Sequence, residues 1–144
     1  MHAFMKRLDH AWIFVFIAAT GTPICLLAMP ADSGHRMLFT MWLATAVGAS
    51  KSLIWIHSPK CLSAILYVSI GWIAVSFFGE MYAVLGARIW LLIAGGLAYS
   101  AGALIYALKR PNPWPAHFGY HEIFHAAVIV GAILHFLVIQ SLIT

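Results

Sequence analysis

Charge is what this sequence has least of. Only 8% of its 144 residues are charged, and just four of them are acidic, Asp9, Asp32, Glu80 and Glu122. A soluble domain cannot cover its surface with so little polarity, so an ordinary water-soluble fold is excluded. Cysteine is scarce too: Cys25 and Cys61 lie in or beside apolar runs, far from any C-x-x-C spacing. That excludes a disulfide framework or a thiolate metal site and leaves both as small hydrophobes. No small-residue cleavage pattern follows the first apolar run, only Pro30-Ala31-Asp32, so the N-terminus does not read as a cleavable signal peptide. The connections between apolar runs are too short for a separate soluble domain, which predicts a single integral membrane domain over 1–144. No internal repeat is evident.

What the chain has instead is hydrocarbon. Apolar residues make up 63% of it, and mean hydropathy is +0.93. Five apolar segments, roughly 11–29, 37–56, 62–79, 89–108 and 118–143, each meet or approach the length that crosses about 30 Å of lipid as a helix. Prolines, glycines and charges fall between them. The fold class expected is all-α, a polytopic bundle of transmembrane helices. Gly95-Gly96, Ala98, Ser100, Ala101, Gly102 and Ala103 give the fourth segment the small residues of close helix packing in lipid. Tryptophans and tyrosines fall mostly toward segment ends, as an interfacial belt would place them.

The net charge of +4 comes from eight Lys/Arg placed at segment ends, which reads as topology and not as nucleic-acid binding. Lys6, Arg7, Lys51, Lys60, Lys109 and Arg110 share the N-terminal side, against Arg36 and Arg88 on the other. The positive-inside rule then puts the N-terminus in the cytoplasm and the C-terminus outside. Lys51, in the last turns of its segment, is expected to snorkel outward.

Chemistry concentrates in His121-Glu122-Ile123-Phe124-His125. Histidines four apart on a helix lie about 40° from each other around its axis, so both imidazoles can reach one metal ion. Neutral imidazole nitrogens suit zinc, and ionisable groups inside a membrane are functional suspects by default. The plain alternative is a pair of interfacial histidines hydrogen-bonded to neighbours. His-Glu-x-x-His also matches the zincin signature, in which the glutamate activates water for peptide hydrolysis, but no later ligand with convincing context follows. Asp9, at the entry of the first segment, lies at the same depth as His121 and His125, so the three can share a site. Taken alone it reads first as a carboxylate favoured by a helix N-terminus. His135, about 21 Å along a helix from His121, is too deep for the same ion and is expected to bond between helices or face a cavity. His2, His10, His35, His57 and His117 lie near interfaces, and Glu80, at a segment end, is expected to be solvated.

Three stretches together are distinctive: Arg7-Leu8-Asp9-His10-Ala11-Trp12-Ile13-Phe14 running on to Ile17-Ala18-Ala19-Thr20-Gly21-Thr22-Pro23; Gly95-Gly96-Leu97-Ala98-Tyr99-Ser100-Ala101-Gly102-Ala103-Leu104-Ile105-Tyr106; and Phe118-Gly119-Tyr120-His121-Glu122-Ile123-Phe124-His125 with His135-Phe136 downstream. Over nearly the whole chain the sequence resembles the haemolysin III family, the bacterial branch of the progestin and adipoQ receptor proteins. That family has seven spanning helices, and the five segments here look like its third to seventh.

The resemblance implies a cytoplasmic-side zinc site in the bacterial inner membrane, with His121 and His125 as metal ligands and Asp9 holding the zinc-bound water. It also implies membrane lipids as partners. The wider superfamily includes ceramidases, so zinc-dependent hydrolysis of a lipid amide or ester is the activity expected by analogy. A non-enzymatic, membrane-perturbing haemolysin and an intramembrane metalloprotease are the alternatives. The family's Ser-x-x-x-His motif, carrying a third histidine on its second helix, has no counterpart here. The site is therefore expected to be partial, through a start assigned too late, a shortened product, or another group completing the shell; His10 is the conceivable substitute. Ala19 and Gly21 stand where the family has glycine and an aromatic residue.

Overall fold

A computed structural model describes residues 2–55 and 57–144, with side chains from Phe4 onward. Ile56, the last residue of the expected second span, and the side chain of His2 lie outside the described residues. The chain folds as α1 (His2–Leu27), α2 (Ala31–Ile54), α3 (Lys60–Trp72), a 3₁₀ stretch (Ile73–Phe77), α4 (Phe78–Leu85), a 3₁₀ turn (Gly86–Arg88), α5 (Ile89–Leu108) and α6 (Tyr120–Ile143). Among the described residues, four helical stretches are long and apolar enough to cross a membrane: Phe4–Leu27, Ala31–Ile54, Lys60–Leu108 and Tyr120–Ile143. The protein is thus an all-helical membrane bundle.

The expected division into five separate segments is corrected at one point: the third and fourth join in one 49-residue stretch of α-helix and 3₁₀ turns, with no loop between them. This stretch reverses at Gly86, whose φ of 55° is open to glycine at no steric cost. Its arms pack antiparallel, so that Trp72 Nε1 donates to Ser100 Oγ at 2.7 Å. The expected span at 62–79 is not one straight helix. Its α-helix stops at Trp72, after the weak helix former Gly71, and continues as 3₁₀ turns.

Other boundaries shift because an apolar run marks the lipid-embedded part of a helix, not its ends. α1 begins nine residues before the run at Ala11, so Asp9 is two turns inside the helix and no acid occupies its first turn. The reading of Asp9 as an N-terminal carboxylate is corrected accordingly. Asp32 does sit in a first turn, that of α2, behind Pro30 as N-cap, where a negative charge favours the helix. Glu80 is only partly solvated: the residue is half-buried, and its Oε2 is enclosed without a hydrogen-bond partner among the described residues.

α1 pairs with α2 and α5 with α6, while α3 touches both pairs. Large apolar side chains such as Phe39, Val47, Ile65, Leu104 and Phe136 point outward, the inverse of a soluble protein and suited to acyl chains. Small residues hold the helices together. A Cβ added at Gly131 on α6 would meet the Tyr99 ring of α5 at 2.9 Å. In the core, Phe14 of α1, Tyr67 of α3 and Phe124 of α6 form a run of rings, 4.4 and 6.3 Å between centroids.

Candidate metal centre

These rings floor the end of the bundle where α1 begins and α6 begins. Asp9 precedes the buried Ile13 by four residues, which puts it on the inward face of α1. His121 and His125 flank the buried Phe124 on the first turns of α6. The crossing of α1 with α6 brings all three together. His121 Nε2 and His125 Nε2 are 3.1 Å apart, and Asp9 Oδ2 lies 3.7 Å from the first and 3.8 Å from the second. Their donor atoms all fall within 4.8 Å of one another, and each residue is half-buried. The sequence allowed this meeting; the fold makes it.

The other residues singled out go elsewhere. Glu122 is exposed and turns away from the cluster to accept a hydrogen bond from the Gly119 N–H at 2.8 Å, the return half of a capping box. His10 is not part of the cluster: its Nδ1 donates to the Lys6 carbonyl at 2.5 Å and its Nε2 meets the Tyr106 hydroxyl. His135 does bond between helices, Nε2 donating to the Leu92 carbonyl at 3.2 Å, and it lines an apolar cavity of about 70 Å³. Lys51 does not snorkel free; its Nζ donates to Ser63 Oγ on α3 at 2.7 Å.

Residues not singled out complete the surroundings. Tyr106 of α5 lies between His10 and His121, with ring centroids 5.5 and 6.2 Å away. Lys60 Nζ donates to the Tyr120 hydroxyl at 2.8 Å and sits 5.2 Å from the Tyr106 ring centroid. In the sequence both tyrosines are indistinguishable from interfacial belt residues, because what marks them is a neighbour from another helix.

Fold and site together define a polytopic helical membrane protein with an Asp-His-His cluster at one end of the bundle. The chain belongs to the family described as haemolysin-III related, whose model matches residues 1–136. It is 31% identical over 129 residues to the hemolysin-3 homolog of Bacillus subtilis, covering 89% of this chain and 58% of that protein. It is 28% identical over 130 residues to hemolysin-3 of Bacillus cereus, covering 90% and 57%. A rice protein named heptahelical transmembrane protein ADIPOR2 is 30% identical over 158 residues, covering 94% and 66%. The chain therefore spans somewhat over half the length of the bacterial relatives it matches. No solved structure matches it.

Proposed function

We propose that this protein is a zinc-dependent hydrolase of lipid amides or esters, with His121 and His125 as metal ligands and Asp9 as the general base. The observation that carries the reading is the convergence of Asp9 with the His121/His125 pair from opposite ends of the chain. The donors fit zinc in chemistry and in spacing. Ligand atoms about 2.05 Å from a tetrahedral zinc lie roughly 3.3 Å apart, and the imidazole nitrogens are separated by 3.1 Å. Asp9 Oδ2, at 3.7 and 3.8 Å, stands slightly beyond that spacing and nearly equidistant from both, as suits a group acting on water next to the ion. Zinc held there would supply Lewis-acid activation of water and of a carbonyl.

The residues themselves do the rest. Asp9 takes the proton of the attacking water and returns it to the departing amine or alcohol, so that amide or ester plus water gives acid plus amine or alcohol. Phe124 and Tyr106 wall the histidines on the membrane side and keep bulk water from that face. Glu122, engaged as a helix cap, is not the base, which weighs against a peptidase reading. Six of the eight Lys/Arg lie at the Asp9 end. The positive-inside bias supports a cytoplasmic site in a bacterial plasma membrane, N-terminus inside and C-terminus outside, with membrane lipids as partners.

Hydrolysis of a lipid amide and a lipid ester in detergent–lipid micelles, with zinc and with a chelator, tests the reading. Activity lost in Asp9→Ala, in His125→Ala and on chelation is expected; activity surviving both substitutions overturns it. Membrane lysis without catalysis is the second reading, supported by the similarity to the Bacillus proteins named hemolysin-3 and hemolysin-3 homolog. Red-cell lysis undiminished in His125→Ala would favour it.

A further inference from the structure

Beside the Asp-His-His cluster, α1, α2 and α3 surround a second cavity, of about 250 Å³. Four cationic side chains line it: Lys6 and Arg7 from α1, Lys51 from the last turn of α2 and Lys60 from the first residue of α3. None of them meets a carboxylate among the described residues, where the two close contacts of acid with base both join Asp9 to a histidine. Positive-inside topology explains why cations gather at this end of the bundle. It does not explain why three helices bring them around one hollow, where like charges repel and the half-burial of Arg7, Lys51 and Lys60 thins the water that would screen them.

An anion resolves that cost, and the other lining groups point to its kind. Ser63 Oγ stands 2.7 Å from Lys51 Nζ, and Ser58 Oγ is buried with no hydrogen-bond partner among the described residues. Four cations and two hydroxyls suit an oxyanion with several acceptor sites, and a phosphodiester at the membrane–water interface supplies two free oxygens and a negative charge. Basic pockets between transmembrane helices are suited to phospholipid headgroups. We propose that this cavity binds a phosphate group, carried on the headgroup of a membrane phospholipid.

Tyr106 forms the shared wall. Its ring lies 5.2 Å from Lys60 Nζ on the pocket side and 6.2 Å from the His121 ring on the other. A phosphate in the pocket is thus held one aromatic ring away from the cluster. Resting on the hydrolase reading above, this names a substrate class: a phospholipid whose ester or amide lies a few bonds from its phosphate, with Lys51 and Lys60 as binding residues and Tyr106 as the spacer.

The full chain, purified in a neutral detergent, is titrated with phosphatidylglycerol and, separately, with inorganic phosphate, and bound ligand is counted by native mass spectrometry. Saturable binding of one phosphatidylglycerol is expected. It should weaken about fivefold for each cation removed in Lys51→Gln and Lys60→Gln, taking ~1 kcal/mol per cation. High salt should weaken it further, Lys51→Arg should restore it, and Arg88→Gln at the opposite end should leave it unchanged. Lipid binding that follows these variants assigns the phosphate to a headgroup. Phosphate binding that follows them, with lipid binding indifferent, assigns the site to the free ion. Neither ligand responding to the double Lys51→Gln/Lys60→Gln variant, while Lys51→Arg remains folded, overturns the proposal. Zinc counted in the same samples keeps the two readings apart: a zinc-free wild type with charge-dependent lipid binding sinks only the hydrolase, and the converse sinks only the pocket.

Discussion

Asp9, His121 and His125 show how far single residues carry a functional argument. The i, i+4 spacing of the histidines is a local property, and an α-helix converts it directly into two converging nitrogens. Asp9 was legible only as a matching depth. Its nearness to both imidazoles depends on α1 crossing α6, which no local pattern encodes. Glu122 shows the opposite case: the His-Glu-x-x-His string invites a catalytic role, yet the carboxylate bonds to the Gly119 N–H. Two outcomes follow at this scale. Asp9→Asn, which keeps the shape and removes the base, should retain zinc and lower lipid hydrolysis by about 10²–10⁴-fold, the usual contribution of a positioned base. Glu122→Gln should keep both zinc and hydrolysis and lower the melting temperature slightly through the weakened cap; loss of hydrolysis with zinc still bound would return the base role to Glu122.

At the scale of the element, the segment expected at 89–108 coincides with α5, Ile89–Leu108, because Arg88 and Lys109 bracket one straight apolar run. The reading failed where apolar character continued through a change of helix type. Nothing polar interrupts the sequence from Leu62 to Phe78 apart from small hydroxyls, one tyrosine and Trp72, so hydropathy could not register the stop at Trp72. The glycines of α5 were legible as close packing, but Gly131 of α6 was not, nor which ring it admits. Gly131→Val should cost about 1–3 kcal/mol by driving a side chain into the Tyr99 ring. Gly79→Ala, whose added Cβ meets nothing within 4 Å, should cost nothing measurable. Thermal unfolding in one detergent compares the pair, and equal stability of both variants would mean that α5 and α6 do not pack through Gly131.

For the whole molecule, sequence and structure agree most closely on charge. The helix ends carrying Lys6, Arg7, Lys51, Lys60, Lys109 and Arg110 all lie at the end of the bundle that holds the Asp-His-His cluster, as an antiparallel succession of helices requires. A native probe reports which side of the membrane that end faces, since Cys61 is exposed beside Lys60 whereas Cys25 is buried. A membrane-impermeant maleimide should label Cys61 in inside-out vesicles and leave it unlabelled in intact cells; labelling in intact cells would reverse the orientation.

Zinc per chain in the detergent-purified protein, measured beside His125→Ala, tests the metal centre most directly. Near one zinc in the wild type and none in the variant is expected if His121 and His125 hold the ion. A wild type without zinc, or a variant that keeps it, would contradict the metal centre and leave Asp9, His121 and His125 as a hydrogen-bonded cluster at a helix crossing.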